Sequence, residues 1–121
     1  SAYMRLRVVV REIEAWLLAD RERFARFFSV PISAVPDRPD ELPDPKATLL
    51  SAIRRSRRRA IQVDMLPRPN SGRQVGAAYT SRLIEFASDN DRGWRPQVAA
   101  RRSPSLSSCL TRLDSLIAAA P

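Results

Sequence analysis

The apolar positions of this chain change period within its first thirty residues. From Arg5 to Val10 the sequence reads RLRVVV, an alternation that becomes a β-branched run and predicts one short strand. From Glu12 the spacing turns helical. Ile13, Trp16, Leu17, Phe24, Phe27 and Phe28 recur every few residues on one side, which predicts a helix to about Ser29. Five prolines between Val30 and Pro45 remove backbone donors and restrict the residues before them, so an ordered loop or lid is expected there. Asp44 and Pro45 have the form of an N-cap and a first helical residue, and Leu49, Leu50, Ile53 and Ile61 place an apolar stripe behind them. This predicts a second helix. PRPNSGRQVG, from Pro67 to Gly76, breaks the pattern with turn formers.

Leu83, Ile84 and Phe86 predict a third helix from about Ala77 to Ser88, stopped by SDNDRG. Pro96 is a candidate start for a short fourth. Ser103 and Pro104 repeat the capping logic, and Leu106, Leu110, Leu113 and Ile117 keep one face apolar to the end. The expected architecture is a single domain over residues 1–121, mainly α (α+β), with four or five helices beside one or two short strands.

Composition narrows the chemistry. With 44% apolar and 28% charged residues the chain should fold. No apolar run approaches the roughly 18 residues that cross a bilayer, and the start lacks the order of a secretion signal, so a cytoplasmic protein without a membrane partner is expected. Cys109 is the single cysteine and there is no histidine, which excludes an internal disulfide, a structural zinc site of the usual ligands and any histidine-dependent hydrolase. Basic residues outnumber acids 21 to 13, and only Lys46 is a lysine. Arginine grips phosphate through a bidentate fork, although a GC-rich genome would produce the same bias.

Two groups of residues are candidates for a site. In REIEAWLLAD, Asp20 falls in the middle of the apolar stripe, where an ionised carboxylate needs an arginine, a helix end or a metal. Glu12 stands where the strand meets the helix, a place suited to a ligand or to helix-start electrostatics. Glu14 lies off the apolar centre and is expected to be solvated. The second group is basic: Arg54, Arg55, Arg57, Arg58 and Arg59 in RRSRRR, with Arg68 and Arg73 in the loop RPNSGR. The run is either a solvated helix face or a surface that holds a polyanion, with glycine-freed backbone donors assisting in the loop.

Together REIEAWLLAD, LPDPKATLL, RRSRRRAIQVDMLPRPNSGRQVGAAY and SPSLSSCLTRL resemble the bacterial family catalogued as domain of unknown function 4276, across most of the chain. Members of that family look distantly like Toprim-type domains, the metal-binding α/β module of topoisomerases, primases and overcoming-lysogenization-defect nucleases. The resemblance implies the C-terminal half of a Toprim-like α/β domain, Glu12 and Asp20 as catalytic residues, and Glu12, Glu14 and Asp20 as Mg²⁺ ligands. A full member would carry its first acids upstream of Ser1, so the chain looks like a natural short form or a fragment. Whether it is an enzyme stays open at this point.

Two functions follow. The first is a metal-dependent, nuclease-related protein that works within a larger polypeptide or assembly. The second is a non-enzymatic basic module of a defence or DNA-processing system, whose arginines hold nucleic acid or an acidic protein. The expected partners include a second copy, to cover open strand edges, and an accompanying ATPase.

Overall fold

The helical spacing that begins at Glu12 does not run to Ser29 as one helix. A computed structural model, which describes residues 12–120, divides it into α1 (residues 12–19) and α2 (Arg21–Phe27), with Asp20 between them. Asp20 leaves the helical conformation, and its carboxylate accepts a hydrogen bond from the Arg23 backbone N–H at 3.4 Å. Short acidic side chains compete for backbone donors inside a helix and satisfy orphan donors at its start. That preference sets the break. α2 then stops at the expected place. Ser29 turns left-handed at φ 55°, and the Val30 N–H reaches the Ala25 carbonyl at 3.0 Å, which closes the helix end.

The proline-rich segment forms two short 3₁₀ turns, Ile32–Ala34 and Pro39–Glu41. Arg21 pins the first of them: its guanidinium donates to the carbonyls of Val35 at 2.6 Å and Ile32 at 3.1 Å and pairs with Asp37 at 3.3 Å. α3 (Pro45–Ile53) starts on the expected cap, Asp44, which accepts from the Ala47 N–H at 3.1 Å. It is followed by α4 (Arg59–Met65), α5 (Tyr79–Ser88), α6 (Pro96–Ala99) and α7 (Pro104–Ala119). Ser103 caps α7 as its sequence predicts.

The expected α+β class is overturned. The described residues form helices and turns with no strand, and the helices exceed four or five because the first expected helix divides into α1 and α2 and the second into α3 and α4. The strand expected from Arg5 to Val10 lies outside the described residues. Among the described residues there is therefore neither an open sheet edge nor an α/β layer of the Toprim type.

All four phenylalanines meet in the core. Phe24 and Phe28 meet tilted, with ring centroids 4.7 Å apart, Phe86 of α5 meets Phe24 edge-on at 5.7 Å, and Phe27 touches both Phe28 and Phe86. Leu18, Leu49, Ile53, Ile61 and Met65 close around the rings and carry α1, α3 and α4 into the same core. A smaller cluster of Ala19, Ala99 and Leu106 seats α6 and α7, with both tryptophans packed on it. Their indoles are satisfied, Trp16 by the Ser105 hydroxyl and Trp94 by the Trp16 carbonyl, each at 2.8 Å. Beyond Leu110 the apolar face of α7 has nothing to cover it among the described residues: Leu113, Leu116 and Ile117 are exposed, and Cys109 is only half-buried.

Candidate nucleic-acid interface

The three candidate acids occupy three separate settings. Asp20 is fully buried, and Arg95 approaches it with Nε at 2.9 Å and Nη2 at 2.8 Å, while the Arg95 backbone N–H adds a third bond at 2.9 Å. With the cap of α2, both oxygens are taken by protein donors. Glu14 is buried, not solvated, and accepts a hydrogen bond from the Tyr79 hydroxyl. Burial pushes its carboxyl above the usual range, opposed by the Tyr79 hydrogen bond and by Lys46. Glu12 is half-exposed at the edge of a cleft of about 340 Å³ that Asp40 and Ser105 also line. Asp40 is itself engaged, receiving the Ser103 hydroxyl at 2.7 Å and the Ser105 N–H at 2.8 Å at the start of α7.

Among the described residues no group of three Asp, Glu or Cys side chains is arranged to hold a metal ion. As placed here, Glu12, Glu14 and Asp20 do not fit a Mg²⁺ site, which needs several convergent oxygens free of other partners.

The basic candidates are placed differently. RRSRRR is not a helix face. It begins at the C-cap of α3, crosses to the α2 end and enters α4 at Arg59. Its backbone is held: the Ser56 hydroxyl donates to the Phe28 carbonyl at 2.6 Å, the Arg57 N–H to the Ser29 carbonyl at 2.9 Å, and the Gln62 amide to the Arg54 carbonyl at 2.8 Å. Its side chains are not held in the same way. Arg54, Arg55, Arg57, Arg58 and Arg59 are exposed, and none forms an ion pair among the described residues. The single side-chain bond from this group is Arg58 to the Phe27 carbonyl, at 3.5 Å. A fixed backbone thus presents five guanidinium groups, none of them in an ion pair among the described residues.

Arg68 and Arg73 line a second cleft of about 490 Å³, with Asp64 at its edge. Here the expected backbone donors are mostly spent internally: the N–H groups of Ser71, Arg73 and Gly76 go to Arg68, the Ser71 hydroxyl and Met65. The seven arginines therefore do not converge on one pocket. Arg58 instead joins Arg23, Arg26, Arg82 and Arg92 around a third cleft of about 510 Å³. Arg82 also pairs with Asp64 at 2.6 Å, so one ion pair contributes a residue to each of the two basic clefts. Nothing in the sequence spacing of Arg23, Arg26 and Arg92 relates them to Arg58. Their only early trace is the arginine excess.

The described part of the chain is thus helical, without strands, and its surface carries many exposed arginines. No protein-family model, curated protein or solved structure matches it. No helix of the described residues is long and apolar enough to cross a membrane.

Proposed function

We propose that this protein is a non-enzymatic basic module that holds the phosphate backbone of nucleic acid without reading its sequence. The observation that carries this is the RRSRRR link: a hydrogen-bonded backbone bearing five exposed arginines that form no ion pair among the described residues. Like charges packed this closely repel one another, and a string of phosphates relieves that repulsion while releasing counterions. The acids of the chain serve other ends. Asp20, Glu22 and Asp64 pair with Arg95, Arg102 and Arg82, while Asp40 and Asp44 hold helix starts. A formal charge of +8 supports long-range attraction to the same partner.

The test is a gel-shift titration of the full chain with random-sequence duplex, beside a variant carrying Arg54→Ala, Arg57→Ala and Arg59→Ala. These side chains are exposed and unpaired among the described residues, so the variant should fold and its retardation should be lost. Equal retardation of both proteins would refute the assignment to the link.

A further inference from the structure

The cleft that receives Arg58 differs from the link itself in being concave and in having an aromatic wall. Arg23, Arg26 and Phe27 come from α2, Arg58 from the link, Arg82 from α5, and Arg92 from the turn that follows α5. Three of the five arginines have bonds of their own. Arg23 donates to the carbonyls of Asp91 at 2.8 Å and Gly93 at 3.2 Å, bracing the turn against α2. Arg82 is bound to Asp64 and Glu85, and Arg58 makes only its long bond to Phe27. Arg26 and Arg92 are exposed and have no side-chain hydrogen bond or ion pair among the described residues.

Two aspartates share the cleft, leaving an excess of three positive charges by count of the lining side chains. One of them, Asp89, is turned into its own loop, where the N–H groups of Asp91 and Arg92 each reach its oxygen at 2.9 Å. Phe27 is half-buried: it packs on Phe28 and Phe86 on one side and lines the cleft on the other.

We propose that this cleft takes an unpaired nucleotide of a single strand, its phosphate between Arg26, Arg58 and Arg92 and its base against Phe27. This rests on the nucleic-acid reading above and adds a preference to it. A volume of about 510 Å³ lies within the range of small-ligand clefts. A duplex keeps its bases stacked inward and offers such a cleft phosphates alone. An unpaired nucleotide offers both the charge that the arginines need and the ring that an aromatic wall can stack. The exposed link can touch either kind of nucleic acid, whereas the cleft rewards only the single strand.

The test is fluorescence anisotropy with the full chain, using an oligodeoxythymidine strand and a duplex of equal length. Tighter binding of the single strand is expected. Phe27→Leu should weaken it roughly five- to a hundredfold, the span of stacking on one base, while Phe27→Tyr keeps a ring and should bind as the parent does. Phe27→Leu could also loosen the core, so Arg92→Ala, an exposed change, gives a second reading: it should lower the salt slope for the single strand by about 0.7 and leave the duplex slope unchanged. If both nucleic acids bind equally and neither variant matters, the cleft proposal falls while the link assignment stands. If neither nucleic acid binds at all, both fall together.

Discussion

Asp20 and Glu14 are buried acids six residues apart, and their partners give them opposite consequences. Asp20 receives four hydrogen bonds, three of them from Arg95, and joins the start of α2 to the chain before α6. Removing it as Asp20→Ala takes away both a helix cap and a charge-assisted pair, and urea unfolding should show a loss of about 3 kcal/mol. A change below about 0.5 kcal/mol would mean the pair is unimportant. Glu14 has its carboxyl pushed up by burial. Its protonated form is favoured in the fold, so its contribution is greatest below the unfolded value near 4.5 and declines as pH rises through the higher folded value. Glu22 behaves the other way. Held down to about 2 mainly by its hydrogen bonds from Arg102, it stabilises above pH 4.5 and loses that effect as pH falls towards 2. Glu14→Gln should therefore gain on the parent steadily between acid and neutral pH in thermal melts, and a constant gap would rule out titration of Glu14 as the cause. That Asp20 needs a partner is legible in the sequence, because a charge falls in an apolar stripe. Which partner it finds is not, since Arg95 lies far along the chain and no local spacing links the two. Glu14 was expected to face water for the same reason: Tyr79 reaches it from α5, which the period of α1 cannot foretell.

Capping is local chemistry, and the elements that depend on it were readable. Asp44 with Pro45, and Ser103 with Pro104, start α3 and α7 where their sequence places them. The elements set by distant contacts were not. The apolar stripe that reaches Ile61 implies a helix running up to or through RRSRRR, yet the chain turns there, where Ser56 bonds to the end of α2. Ser56→Ala should cost about 1 to 2 kcal/mol, since it strands a carbonyl that now has a strong donor, and it should weaken nucleic-acid binding by loosening the link. Unchanged stability and binding would separate the link from its anchor. The turn between α4 and α5 is tied equally closely. A side chain at Gly76 would collide with the carbonyls of Asp64 and Leu66, so Gly76→Ala should displace the α4 end and lower the melting temperature by several degrees, about 4 °C for each kcal/mol lost in a chain of this size. An unshifted melt would show that the approach is not needed. The sequence keeps one face of α7 apolar to its end, but burial stops near Leu110, and Leu113, Leu116 and Ile117 are exposed among the described residues.

At the scale of the whole molecule, charge counts for more than any single site. The candidate acids are separated by their own partners, whereas the arginines of the link are exposed and form no ion pair among the described residues, which is the contrast the proposed function rests on. The helical class is largely legible from periodicity; the α+β class is not met, since the described residues form helices and turns with no strand, and the strand expected from Arg5 to Val10 lies outside them. Incubation with Mg²⁺ and labelled DNA should leave the DNA intact, and cleavage that Glu12→Gln abolishes would restore the enzymatic reading. The most direct measurement is the affinity of the chain for duplex DNA across a salt series. If the five link arginines neutralise about four phosphates, the logarithm of affinity should fall with the logarithm of salt at a slope near −3.6. A slope near zero, or no binding at low salt, would contradict the central claim.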